Sequence, residues 1–381
     1  MLAIDQNFIS RGESIMLKPP GPLRLALGIA AIFCCFPLAG CGGDSSGGES
    51  SGRFIILTNV PDPFWDTCEA GAKQAAADLK LAEAGYSVVV EQNTKGPQGQ
   101  IQRLREWAGD PNIRGVAISV TEPDNTALVD AMLALKNAGV PVITIDSDIN
   151  QENPAFREAR YGYIGTDNVK AGVELGKAAR ALLPEGAKYA TFVGNKTQAN
   201  AIERNTGFKQ GAGEGFEQVD FLADRVDQSR ARQNVHNAFS RNPDLTLLVG
   251  LWAYNTPAIT DVVRDRGIEE DVTVLGFDAA PLALSAMKAG RVDALLVQDP
   301  YTMGYLGIKT LKALVDDDKE ALKEVFPNYG SADNGNVHRT ALKIVVPEKT
   351  SLTPDIFDEN TEFIPLPEFR AWLDEYHLTG S

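Results

Sequence analysis

Short apolar runs that alternate with longer amphipathic ones predict an α/β chain folded as two Rossmann-like lobes. Three observations carry the prediction. First, runs such as Phe54-Ile-Ile-Leu57, Val142-Ile-Thr-Ile145 and Ala294-Leu-Leu-Val297 are apolar throughout. That is the mark of strands covered on both faces, as in a parallel sheet. Second, each run is followed by a segment with helical spacing, as in Ile101, Leu104, Trp107 and Ala108, which makes Trp107 a core residue and builds right-handed βαβ units. Third, ten strands fit within one chain of 381 residues. That is more than one doubly wound domain needs, so the strands divide between two lobes with a junction near residues 164–168.

The N-terminus reads as processing. Lys18 and Arg24 form a basic segment, Leu25–Phe36 an apolar one too short to span a bilayer comfortably, and Leu38-Ala-Gly-Cys41 resembles a bacterial lipobox. Residues 1–40 are therefore expected to be a signal peptide, with Met16 competing with Met1 as the start, and Cys41 to carry lipid. The Gly/Ser-rich segment 41–52 then tethers the domain to the lipid. Once Cys41 is acylated and the leader removed, Cys68 is the remaining thiol, a small packing residue on an early helical turn.

Strands are expected near 53–58, 86–91, 114–119, 140–145, 160–164, 187–193, 219–223, 245–250, 272–277 and 292–297. Helices are expected at 63–84, 98–109, 123–138, 168–183, 199–217, 229–241, 255–267, 281–289 and 300–316. The first junction, Thr58-Asn-Val-Pro-Asp-Pro-Phe-Trp65, is chemically the densest. Pro63 suits a first helical turn and Asp62 the cap before it. Two adjacent aromatics, Phe64 and Trp65, are expected not to bury together from one turn, so one stands over the crevice at the strand's carboxyl end, where open α/β sheets bind ligands. Asp167, in Gly-Thr-Asp-Asn-Val, is read as a cap or hinge residue.

Polar residues recur at the other strand ends. Ser119 follows Val-Ala-Ile, Asp146 and Ser147 follow Val-Ile-Thr-Ile, Trp252 follows Leu-Val-Gly-Leu, Asp278 follows Leu-Gly-Phe, and Gln298 follows Leu-Leu-Val. With Arg204 and the aromatics they form the inventory of a binding crevice. A carbohydrate calls for such a set: directional carboxylates and amides around its hydroxyl edge, rings against its C–H faces. The formal charge of −15 argues against nucleic acid or an anionic membrane surface as partner. His236, His338 and His377 are scattered and the cysteines lack ligand spacing, which argues against a metal or Cys/His catalysis. Ser285-Ala-Met-Lys288, Gly211-Ala-Gly-Glu-Gly215 and Gly194-Asn-Lys-Thr197 each fail the context that an enzyme motif requires, so no catalytic residues or cofactor are expected.

In order along the chain, Asp62-Pro-Phe-Trp65, Pro141-Val-Ile-Thr-Ile-Asp146, Ile164-Gly-Thr-Asp-Asn-Val169, Glu203-Arg204 with Gly207-Phe208, Val274-Leu-Gly-Phe-Asp278 and Val297-Gln298 resemble the type I periplasmic binding proteins for simple sugars. These feed ABC importers, and the resemblance runs from about Arg53 to Val346. It implies two lobes joined by three crossovers and closing on a monosaccharide or related polyol. The N-terminal lobe would span 53–166, completed by about 299–330. The C-terminal lobe would span 167–298, completed by about 331–350, with 351–381 an extension. By the same resemblance Phe64 and Trp65 stack on the sugar, Asp146 and Asp278 accept from its hydroxyls, and Arg204 donates to an oxygen. Asn200 lies one turn before Arg204, and Gln298 stands at the second crossover.

The chain also departs from that family. Ser147 replaces the arginine that follows the aspartate in ribose-type members, and no aromatic stands near Val226-Asp227. Trp252 is expected to supply the second ring and Asn255 an amide, while the long loop 147–160 is expected to cover the cleft. The expected protein is monomeric, lives in the periplasm or cell envelope on its Cys41 lipid, and hands ligand to a permease. The alternative is a sugar sensor feeding a membrane kinase or chemoreceptor. A DNA-binding repressor with similar lobes would need a helix-turn-helix where this chain has a leader.

Overall fold

The computed structural model describes residues 52–331 and 335–381. The leader, Cys41 and all of the tether but Gly52 lie outside the described residues.

The chain begins with β1 (Gly52–Leu57), α1 (Phe64–Asp78), β2 (Tyr86–Glu91), α2 (Gly96–Trp107), β3 (Ile113–Ile118) and α3 (Thr126–Asn137). It continues through β4 (Val142–Ile145), the single turn α4 (Pro154–Arg157) and β5 (Tyr163–Gly165). A second series follows: α5 (Asn168–Leu182), β6 (Ala187–Val193), α6 (Ala199–Ala212), β7 (Phe216–Ala223), α7 (Gln228–Arg241) and β8 (Leu247–Gly250), then α8 (Asn255–Arg266), β9 (Thr273–Phe277), α9 (Pro281–Lys288) and β10 (Ala294–Val297). The chain closes with α10 (Pro300–Asp316), α11 (Lys319–Val325), β11 (Val337–Arg339), β12 (Leu342–Val346), β13 (Thr361–Pro365) and α12 (Leu366–Glu375).

These strands form two sheets. One runs β11-β5-β4-β3-β1-β2, the other β13-β12-β10-β9-β8-β6-β7. Leaving β13 aside, the two orders match strand for strand, so β4 of one sheet corresponds to β9 of the other. Pairing is parallel except between β10 and β12. In each sheet the order reverses beside its first strand, between β1 and β3 and between β6 and β8. A doubly wound sheet opens its binding crevice at such a switch point.

Each sheet is covered on both faces, which is why inner strands such as β4, β8 and β10 are mostly apolar and fully buried. Phe54 and Ile56 pack under α1 and α10, while Ile55 and Leu57 pack under α2 and α3. Trp107 takes its place in the second of these clusters, and Cys68 is buried in the first. Two helix pairs approach so closely that only glycine fits between them. A Cβ on Gly71 of α1 would lie 1.9 Å from the Tyr301 carbonyl oxygen on α10, and one on Gly207 of α6 would lie 2.0 Å from that of Val169 on α5.

The chain passes between the sheets three times: after β5, after β10, and between β11 and β12. The three passages are hydrogen-bonded together. Thr166 Oγ1 donates to Gln298 Oε1 at 2.8 Å, Arg339 Nη1 donates to the Thr166 carbonyl at 2.9 Å, and Thr340 N donates to Gly165 O at 3.0 Å.

Several expectations are corrected. β11 pairs with β5, so the first sheet extends to Arg339 and the last passage falls at residues 340–341. The extension, for which packing on a lobe and reaching away were both open, packs: β13 pairs with β12 along its full length, and Phe369 and Leu373 of α12 enter the core of the second lobe. α6 stops at Ala212 because Gly213 and Gly215 have positive φ, so Gly211-Ala-Gly-Glu-Gly215 ends the helix rather than lying inside it. The loop 147–160 does not cover the cleft. Ile149 and Phe156 sink into the core beside α3, and Arg160 grips Asp148 through Nε at 2.8 Å and Nη2 at 2.6 Å.

Candidate functional site

Asp146 and Asp278 stand directly after β4 and β9, the matching strands of the two sheets. Both take left-handed backbone, with φ of 61° and 63°, a region that aspartate tolerates better than most residues. Each backbone is pinned to its own sheet: Asp146 N donates to Ile164 O at 3.0 Å, and Asp278 N donates to Leu296 O at 2.8 Å. The left-handed residue at each strand end turns its carboxylate out of the strand's alternation, Asp146 to Ser119 and Asn59 and Asp278 to Gln298.

Between them lies Arg204 on α6, only 2% exposed. Its Nε donates to Asn168 Oδ1 at 2.9 Å, its Nη1 donates to Leu251 O at 2.8 Å, and its guanidinium lies 4.5 Å from the centroid of the Phe277 ring. The nearest carboxylate contact is Asp278 Oδ2 at 3.9 Å from Nη1, an ion pair rather than a hydrogen bond.

Each aspartate has neutral donors of its own. Ser119 Oγ donates to Asp146 Oδ2 at 2.8 Å, Asn59 Nδ2 donates to the same oxygen at 3.3 Å, and Gln298 Nε2 donates to Asp278 Oδ1 at 2.8 Å. Burial raises the Asp146 carboxyl, against the Ser119 hydrogen bond and the Arg204 charge. Burial likewise pushes Asp278 up to about 6, opposed by Arg204 and Gln298. Asp62 is pushed to about 6 by burial and by the Asp278 charge, against the Phe64 amide. Asp146 and Asp278 thus share the field of one guanidinium, and Asp62 feels the Asp278 charge, in surroundings where leaving a charge uncompensated is costly.

Asp62 also starts α1. Its Oδ1 accepts from Phe64 N at 2.9 Å, although the helix itself begins at Phe64, after Pro63. Phe64 and Trp65 meet edge to face with centroids 5.1 Å apart. Here the sequence reading is corrected: one turn does bury both rings, at 7% and 2% exposure, in a cluster with Cys68, Ile145 and Met303. The close α1–α10 contact at Gly71 and Gly304 supplies the depth that two adjacent rings need.

The remaining expected residues divide. Thr58 is spent within its own lobe: its Oγ1 accepts from Asn93 N at 2.9 Å and its carbonyl accepts from Gln100 Nε2 at 3.0 Å. The Ser147 backbone closes the turn after β4, with N donating to Ile145 O at 2.6 Å. Trp252 lies over Gly194, where an added Cβ would come 2.0 Å from the ring, and its Nε1 donates to Asn200 Oδ1 at 3.2 Å. Asn255 is buried beneath it and holds the loop, with Oδ1 accepting from Trp252 N at 3.1 Å and Nδ2 donating to Asp224 Oδ2 at 2.8 Å.

Sequence reasoning missed four contributors. Asp224 is fully buried at the end of β7 and binds Tyr254 as well as Asn255. Asn168 holds Arg204, and its signal was available in Gly-Thr-Asp-Asn-Val, where only Asp167 drew notice. Asp167 is indeed a cap, accepting from Lys170 N at 3.0 Å. Gln100 ties Thr58, Ser119 and Thr121 together, with nothing in its helical context to mark it. Gln198 donates from the second lobe to the Thr121 carbonyl of the first, so the lobes touch across the cleft. Among the described residues no group of three or more His, Cys, Asp or Glu is placed to hold a metal, and no helix is long and apolar enough to cross a membrane.

The chain resembles known proteins along most of its described length. It is 25% identical over 273 residues to the ribose import binding protein RbsB of Escherichia coli (strain K12), covering 71% of this chain and 86% of the relative. It is 26% identical over 276 residues to the D-allose-binding periplasmic protein of the same organism, covering 70% and 84%. Among solved structures, an ABC transporter solute-binding protein from Burkholderia graminis C4D1M in complex with D-arabinose matches with a TM-score of 0.65 and 25% identity, over 82% of this chain and 99% of that one. Residues 53–320 match the periplasmic binding protein domain. With two matched sheets, three passages between them and paired aspartates at equivalent strand ends, the chain belongs to the periplasmic binding protein family of type I fold.

Proposed function

We propose that the chain is a lipid-anchored solute-binding protein that closes on a simple sugar or related polyol in the cleft between its lobes and delivers it to an ABC-type importer. The observation that carries the ligand class is the placement of Asp146 and Asp278 around the buried Arg204. A sugar hydroxyl accepts from a guanidinium and donates to a carboxylate at once. A ring of hydroxyls therefore serves both signs of charge where burial penalises each. The rings of Phe64, Trp65 and Trp252 are read as apolar walls for the C–H faces, with Asn59, Asp62, Ser119, Asn200 and Gln298 supplying or steering polar contacts. The names of the relatives, which bind ribose, allose or arabinose, support a neutral monosaccharide. Those relatives bind and transport, and this chain acts by binding rather than catalysis.

A ligand that touches both lobes favours the closed arrangement by its differential contacts, and a permease would read the closed surface. Thermal-shift measurements against pentoses, hexoses, deoxysugars, polyols, amino acids and nucleosides test the ligand class. A sugar at a hundred times its Kd adds about 2.7 kcal/mol of stability. A melt moved by amino acids or nucleosides and by no carbohydrate would overturn the reading. Anchoring is tested separately: Cys41→Ser should leave the membrane fraction, and unchanged fractionation opposes the lipid.

A further inference from the structure

We propose that the tail after α12 is a strap that joins the two lobes beside the cleft and positions Asp278. α12 is fixed to the second lobe through Phe369 and Leu373. The chain then turns sharply at His377, whose φ is 56°, with Leu378 N donating back to Leu373 O at 2.8 Å. The turn sends residues 378–381 back onto the stretch after β9 rather than outward. There Ser381 pairs with Ala279 in both directions: Ala279 N donates to Ser381 O at 2.6 Å and Ser381 N donates to Ala279 O at 3.1 Å. Ala279 directly follows Asp278, so both sides of this left-handed residue are held. Leu296 O takes its amide, and the tail takes the residue after it.

The tail also reaches the other lobe. Thr67, fully buried on α1, donates through Oγ1 to Gly380 O at 2.9 Å. The Tyr376 ring meets that of Tyr301 on α10 with centroids 4.7 Å apart. α1 and α10 both pack on the first sheet, whereas Ala279 belongs to the second lobe's core. Residues 376–381 thus contact both lobes, and one of these contacts, at Tyr301, stands directly after the second passage. Gly380 is placed where a side chain does not fit: a Cβ would lie 2.5 Å from Ala279 O and 2.8 Å from Pro281 Cδ.

A strap of this kind resists the separation of α1 from Ala279 that opening requires, and it holds the Asp278 carboxylate in the orientation that meets Gln298 and Arg204. The proposal rests on the sugar-binding reading only for the role of Asp278; the link between lobes does not depend on a ligand. The test uses the full chain with Thr67→Val, which keeps the shape and removes the donor, Thr67→Ser, which restores it, and Gly380→Ala, which wedges the tail from the other side. Small-angle scattering without ligand should give a larger radius of gyration for Thr67→Val and Gly380→Ala than for wild type, with Thr67→Ser returning to the wild-type value. Titration with D-ribose, D-allose and D-arabinose should show an affinity loss of about fivefold for Thr67→Val, the worth of one hydrogen bond, and recovery in Thr67→Ser. A radius and affinity unchanged in both disruptive variants, with only the melting temperature lowered, would reduce the tail to packing and overturn the strap. If none of the sugars binds wild type, the sugar reading loses support, and the strap is judged on the unliganded radius alone.

Discussion

Trp65 shows how residue-scale chemistry is set by depth. At 2% exposure, edge to face with Phe64, it is a core residue of the first lobe, and only the proposed function gives it a further part as a wall of the cleft. Trp65→Ala should therefore cost about 3–5 kcal/mol in urea unfolding without ligand. A loss below about 1 kcal/mol would place the ring in the cleft alone. Asp278 makes the complementary case. Its carboxyl sits at about 6 when folded, above the unfolded value of about 3.9. Between those values the native state holds the extra proton, so this group's contribution to stability falls as pH rises and is least favourable above pH 6. Asp278→Asn should accordingly raise the unliganded stability at pH 7 relative to wild type, by at most about 3 kcal/mol, and the advantage should vanish near pH 4. Sugar binding should be impaired in the variant at either pH. An advantage that does not change with pH would mean that Asp278 is not held above its ordinary value.

Among elements, the helix pairs on each sheet decide how near the binding groups come. α6 carries Arg204 and Gly207 one turn apart, and the absence of a side chain at Gly207 lets α6 lie against α5, which carries Asn168. Gly207→Ala would place a Cβ 2.0 Å from the Val169 carbonyl. It should cost about 1–3 kcal/mol by overpacking, and it should weaken sugar affinity as well because Arg204 and Asn168 shift together. Thermal melts and titration calorimetry on the one variant check both parts. A destabilised protein with unchanged affinity would show that the α5–α6 distance does not set the site. The matched left-handed aspartates after β4 and β9 show the same logic on the strands: equivalent elements of two lobes deliver equivalent groups to one cleft.

For the whole molecule, the decisive property is the relation between lobes. Three passages bonded through Thr166, Gln298, Arg339 and Thr340 leave closure and opening as the available large motion. Gln298 belongs to both the hinge and the site, since it accepts from Thr166 and donates to Asp278. A saturating sugar should reduce the radius of gyration in solution relative to the unliganded protein. No change at saturation would indicate a rigid pocket, unsuited to a switch that a transporter reads.

The ten strands from β1 to β10 and the helices between them, the single turn α4 excepted, were legible in the sequence, because apolar runs and helical spacing are local patterns that burial on two faces imposes directly. Asp146, Asp278 and Gln298 were legible too, as expensive polar residues standing where strands end, and Arg204 as a lone arginine within a helix. What tertiary structure alone decided depends on contacts between segments distant in sequence. β11, with three residues, has no pattern of its own and is a strand only because β5 offers an edge. Phe64 and Trp65 are both buried because glycines far apart in the chain bring α1 and α10 together. Asn255 turned from a candidate ligand contact into a brace because Asp224, thirty-one positions away, accepts from its amide. The tail found its place because Thr67, 313 positions earlier, presents a buried hydroxyl to Gly380. Local sequence determines which groups are polar and where strands end; the donor or acceptor that each group meets is fixed only when the chain has closed on itself.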